Sequence, residues 1–168
     1  WNAAPDIIVN MAPGVKLPGE VVQAPRTVDS AVATGTTIFP ADNTTPQNTE
    51  GDQYMSQAVT PTVAANLLRI SHAGHYAHST TNGIYLGLFQ DSTANTLATG
   101  APGRADFAGQ VTTGCLTHAM RAATTSSTTF KLRAGSNGAG TTTFNGSAGA
   151  GLFNGTFASF LQVEEIVA

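Results

Sequence analysis

Apolar side chains in this sequence recur at every second position, in short runs soon closed by Gly, Pro, Asn or Asp, and that pattern points the chain to β structure. Ile84, Leu86 and Leu88 alternate with Tyr85, Gly87 and Phe89. Over Leu67 to Ala77, the longest candidate strand, Leu68, Ile70, His72 and Tyr76 share one face, with Leu67, Arg69, Ser71 and His75 on the other. Shorter candidates are Glu20 to Ala24, Thr36 to Phe39, Tyr54 to Val59, Gln110 to Arg121, Thr128 to Ala134, Thr141 to Asn145 and Ala158 to Val167. Lys and Glu, which favour exposed helix faces, are scarce, so long amphipathic helices are not expected. Eight or nine short strands without intervening helices imply an all-β antiparallel sandwich, with the jelly roll as the expected form. Thr80-Thr81-Asn82-Gly83 reads as a turn joining two of these strands in a hairpin. Asp42 to Gly51 and residues 91 to 109 read as loops.

Residues 1 to 19 are interrupted by Pro5, Pro13, Gly14, Pro18 and Gly19 and read as an extended arm or linker, with 20 to 168 as one domain. Only 10% of residues are charged and the net charge is −3, which argues against a basic groove and hence against a nucleic-acid partner. No apolar run approaches the roughly 20 residues that cross a bilayer, so membrane insertion is not expected. Trp1-Asn2-Ala3-Ala4-Pro5 has neither the basic nor the apolar region of a signal peptide, and a first residue other than Met points to a processed or trimmed chain. Cys115 is the one cysteine, which precludes an intrachain disulfide and leaves it as a small core residue.

The run Ile38-Phe39-Pro40-Ala41-Asp42-Asn43-Thr44-Thr45-Pro46-Gln47-Asn48-Thr49-Glu50-Gly51 resembles an Ile-Pro…Pro-Gln-Asn-Thr-Glu-Gly signature of tail fibre and other structural proteins of tailed bacteriophages. The segments C-terminal to this run are similar in order: Thr60-Pro61, Asn66-Leu67-Leu68-Arg69-Ile70, a strand into Leu88-Phe89-Gln90-Asp91-Ser92-Thr93-Ala94-Asn95, and closing strands around Thr128 to Gly135, Thr143 to Gly146 and Ser159 to Ile166. The resemblance runs from about Gly19 to the C-terminus. It implies a jelly-roll module similar to C1q and tumour-necrosis-factor heads, which assemble as homotrimers at the end of a stalk. By the same resemblance the expected function is a trimeric fibre tip that attaches to a host-surface glycan or protein. The alternative is a capsid decoration or head/neck fibre protein held to other virion proteins by its arm. Either places the chain in the virion, assembled in the host cytoplasm.

Ser71-His72-Ala73-Gly74-His75-Tyr76-Ala77-His78 sets three histidines at spacings of three, and zinc sites use such residues. On a strand, however, His72 and His78 share a face about 20 Å apart while His75 points the other way. The histidines are therefore expected in a structural or interfacial role, with His72, Tyr76 and His78 as candidates for a trimer interface, and no metal or other cofactor is expected. No Gly-x-Ser-x-Gly elbow supports a hydrolase, and Glu164 and Glu165, adjacent on a strand, face opposite sides, so no enzyme activity is expected. Gly135-Ser136-Asn137-Gly138-Ala139-Gly140 lacks the Lys and helix of a phosphate loop. A ligand-reading surface is expected on loops, where amides and aromatics suit sugars, with Asn82, Tyr85, Asn137 and Asn154 as candidates.

Overall fold

The computed structural model describes residues 16–168; most of the expected arm, positions 1–15, lies outside the described residues. The strands are β1 (Val21–Gln23), β2 (Arg26–Asp29), β3 (Ala33–Gly35), β4 (Asp52–Val59), β5 (Leu67–His78), β6 (Gly83–Gln90), β7 (Ala98–Arg104), β8 (Val111–Arg121), β9 (Thr128–Ser136), β10 (Thr142–Phe144), β11 (Gly146–Ser147), β12 (Ala150–Gly151) and β13 (Ser159–Ile166). A 3-10 turn at Phe153–Gly155 precedes the last.

Eight strands carry the fold, and their pairing is that of one long hairpin rolled into a sandwich. β2 pairs with β13, β4 with β9, β5 with β8 and β6 with β7, each antiparallel, so the first principal strand meets the last and the middle two meet each other. Rolling this hairpin adds β13 against β5 and β9 against β6. The result is two sheets, β2-β13-β5-β8 and β4-β9-β6-β7, which is the jelly-roll winding. β3 and β10 extend the first sheet beside the end of β5.

Between the sheets the alternation read from sequence makes the core. Leu68, Ile70 and Tyr76 of β5, Leu116 of β8 and Leu161 and Val163 of β13 face Met55, Ile84, Leu86, Leu88, Phe130 and Leu132 of the other sheet. Burying each such side chain contributes roughly 1.5–3 kcal/mol. The sandwich also closes at its sides: Thr27 Oγ1 donates to Ser56 O at 3.1 Å across β2 and β4, while Gly100 of β7 lets Cys115 O of β8 approach.

Two expectations need correction. Leu67–His78 and Gly83–Gln90 are not a hairpin: the 79–82 connection crosses from one sheet to the other, and β6 pairs with β7 and β9. Thr36 to Phe39 is not a strand, because Asp52 accepts hydrogen bonds from Thr37 N (2.9 Å) and Thr37 Oγ1 (2.8 Å) and draws the chain off the ladder that ends at Gly35.

Candidate functional site: a groove on the outer face of the β4-β9-β6-β7 sheet

Residues 36–51 form a strap across the outer face of this sheet, and the strap builds the site. Phe39, 2% exposed, drops into a slot made of glycines: a Cβ added at Gly51, Gly87 or Gly135 would lie within 3.1 Å of its side chain. Gly51 also holds φ 61°, a left-handed conformation that glycine adopts at little cost. The far part of the strap is sewn to the β6–β7 loop. Asn48 N donates to Ala94 O (2.8 Å), Asn48 Nδ2 to Thr93 O (3.1 Å), Gln47 Nε2 to Asn95 Oδ1 (2.9 Å), and Thr96 N to Pro46 O (3.0 Å). Arg133 donates to Glu50 O (2.9 Å) and Gly51 O (2.5 Å). The Pro-Gln-Asn-Thr-Glu-Gly element is thus a clasp between two loops and a strand, with structural uses for the Gln47 and Asn48 side chains and for the Glu50 and Gly51 carbonyls.

The strap leaves a groove between itself and β6 and β7. One hollow of about 490 Å³ lies between Phe39, Asp42, Thr44 and Pro46 on the strap and Tyr85, Thr99 and Gly100 on the sheet. A second, of about 350 Å³, is lined by Asn82, Gly83, Tyr85, Gly103, Arg104 and Asn137. Tyr85 and Ala101 belong to both. The Tyr85 ring stacks near Phe39, with centroids 6.5 Å apart and planes 23° apart, and its hydroxyl end lies beside Gly83, where a Cβ would meet the hydroxyl at 3.0 Å. Asn137 Oδ1 accepts from Gly83 N at 3.1 Å, and Arg104 Nε donates to Thr81 O at 2.7 Å. A register shift opposite Ile84–Leu86 places a bulge in β7, between Gly100 and Gly103.

The structure therefore brings Asn82, Tyr85 and Asn137 together. Asn154 does not join them: it occupies the Phe153–Gly155 turn with φ 50°, and neither hollow includes it. Sequence reasoning misses Arg104 and the strap residues, since β7 reads there as loop.

The smaller hollow lies at one end of the sandwich, and the larger continues from it along the outer face of the sheet. Lys16 to Glu20 and the C-terminus lie at the other, where Gly19 N donates to Val167 O (2.9 Å) and Val21, Ile166, Leu67 and Arg121 stand side by side. β5 spans that interval, roughly 36 Å for a strand of its length.

His72, Tyr76 and His78 are not at a surface, which corrects their expected place at a trimer interface. All three point into the sandwich, at 3%, 0% and 1% exposure, because the inward parity of β5 is that of Leu68 and Ile70. The Phe160 carbonyl can only accept, so His72 Nδ1 (2.6 Å) carries the proton, and Nε2 accepts from the Tyr76 hydroxyl (2.9 Å). Burial pushes the His72 imidazole down to about 4 against the opposing pull of the Phe160 carbonyl, and holds Tyr76 protonated well above its ordinary range. His75 points outward, stacked on Phe157 at 3.8 Å. Among the described residues no three His, Cys, Asp or Glu side chains converge as a metal site.

The outward parity of the β2-β13-β5-β8 sheet presents an uncharged rank. Val28, Phe160, Ala73 and Cys115 stand in one rank across β2, β13, β5 and β8, with Val28 57% exposed and Cys115 exposed rather than in the core. The next rank is Arg26, Gln162, Ser71 and Thr117, with the Arg26 guanidinium 4.3 Å above the Phe160 ring.

No family model matches the chain, and no curated protein matches it. Solved structures do. Eiger TNF from S. frugiperda aligns over 90% of this chain and 94% of that chain, at 11% identity and a TM-score of 0.48. A structure of the infectious bursal disease virus Gx strain aligns over 95% of this chain, which spans 42% of that one, at 14% identity and a TM-score of 0.39. The C-terminal domain of EclA, a sugar-binding protein, aligns over 86% of this chain and 85% of that chain, at 12% identity and a TM-score of 0.33. The jelly-roll assignment rests on the strand pairing within the chain, β2 to β13 through β6 to β7.

Proposed function

We propose that the chain is a non-enzymatic, trimeric attachment domain at the tip of a tailed-phage fibre or virion appendage. One observation carries the reading: the Asn82–Tyr85–Asn137 groove lies at the end of the sandwich opposite the segment where residues 16–20 pair with Val167. A stalk joined at that segment would hold the groove outward, toward a host surface. The phage-fibre resemblance of residues 38–51 supports the same placement, and here that motif frames the groove. The rank Val28, Phe160, Ala73 and Cys115 is the face offered to the other two copies, being uncharged and on the sheet away from the groove.

Adsorption tests this. Purified protein is expected to cosediment with bacteria of the strain that the phage infects and to slow phage adsorption in competition. Failure to sediment and to compete contradicts an attachment role.

A further inference from the structure

Resting on the attachment reading, we infer that the groove takes a linear acidic oligosaccharide, seated with a carboxylate-bearing sugar at Arg104 and with Tyr85 as the platform between two sugar subsites. The two hollows share Tyr85 and Ala101, so a chain of sugars can run from one into the other past a fixed aromatic ring. The stacking of Tyr85 near Phe39, with its hydroxyl end beside Gly83, fixes the plane against which a pyranose would stack on the other face. Between the hollows the floor is Gly100, Ala101 and Gly103, which lets a ring approach the backbone closely.

The polar groups suit hydroxyls. Asn137 uses its Oδ1 on Gly83 N, which leaves its NH2 for a ligand, and Asn82 adds a second amide beside it. Thr44 and Thr99 serve the other hollow.

Charge gives the groove a direction. Arg104 is the one charged side chain of the smaller hollow and Asp42 that of the larger, among the described residues. Arg104 is pinned through Nε to Thr81 O, which leaves its two terminal NH2 groups as a fork for a carboxylate. Asp42 is pinned by Thr44 N (2.8 Å) and Thr44 Oγ1 (2.6 Å) and remains an acceptor for sugar hydroxyls, while repelling a second acidic sugar at that end. An extended peptide has less to gain here, since the lining holds few apolar pockets for alternate side chains.

Oligosaccharides of three to five sugars, released from the surface polysaccharide of bacteria that the protein adsorbs to, are titrated into the full chain by calorimetry, both native and with carboxyls reduced to alcohols. Native fragments are expected to bind and to block adsorption, with carboxyl reduction weakening binding about tenfold. Arg104→Gln should abolish the difference between native and reduced fragments. Tyr85→Ala should weaken both about tenfold, while Tyr85→Phe keeps both. Adsorption that neither the fragments nor Tyr85→Ala alters overturns the inference and leaves the attachment reading standing, with a protein receptor read elsewhere. Failure of the wild-type protein to adsorb at all overturns both.

Discussion

Replacing Glu165 by Ala is expected to destabilise the domain by roughly 2–3 kcal/mol, because it leaves a set of neutral donors, Asn66 among them buried, without their acceptor. Glu165 is 0% exposed, on the inward parity of β13, and among the described residues no cation pairs with it. Five donors satisfy it instead: Gln23 Nε2 (2.6 Å), Thr62 N (2.8 Å), Thr62 Oγ1 (2.7 Å), Asn66 Nδ2 (2.8 Å) and Val63 N (3.2 Å). Burial pushes this carboxyl up, but the bonds from Gln23, Thr62, Asn66 and Val63 outweigh it and hold it down to about 2. One side chain thereby fixes the β4–β5 loop to the last strand, and its loss leaves those donors unpaired. Glu164, one residue earlier and facing outward with Arg69, is the control, because a half-exposed ion pair contributes under about 1 kcal/mol. Urea unfolding of both alanine variants checks the contrast; equal midpoints would show that Glu165 anchors nothing.

The second large effect is acid lability. The buried His72 stays neutral down to about pH 4, whereas in the unfolded chain it takes up a proton near 6.5. Between those values the unfolded state binds more protons, so stability falls as pH falls, by roughly 1.4 kcal/mol per unit and about 3 kcal/mol over the window. Above 6.5 this residue gives no slope. His75 and His78 are also lowered by burial and act in the same direction. Glu165 adds a further loss only below its unfolded value of 4.5. Denaturation midpoints at pH 7.5 and pH 5 measure the effect, and His72→Gln should flatten most of it. A midpoint unchanged between the two pH values would contradict the buried neutral imidazole.

Much of this architecture is legible in the sequence wherever a strand has one wet and one dry face. Alternation alone separates Leu68, Ile70, His72 and Tyr76 from Arg69 and His75, and β5 follows it. Parity does not say which face is inward, and for that reason the sequence points His72, Tyr76 and His78 to an interface although they lie in the core. Nor does a turn between two strands say that they pair: in a jelly roll such a connection can cross between sheets, as 79–82 does. β7 escapes sequence reading because its composition serves contacts rather than propensity. Gly100 admits Cys115 O, and Pro102 packs on Gly114. Of the groove, Asn82, Tyr85 and Asn137 are legible as turn and platform residues, whereas Arg104 and the strap wall depend on β7 and on the glycine slot for Phe39, which no local pattern announces.

The proposed attachment requires that three copies share the Val28–Phe160–Ala73–Cys115 rank of the β2-β13-β5-β8 sheet and so leave each groove turned outward. Sedimentation velocity at micromolar concentration tests that most directly. One species of three times the 17.1 kDa chain mass is expected, and Ala73→Arg, set in the middle of that face, should reduce it to folded single chains. A wild-type protein that sediments as a folded monomer would contradict it.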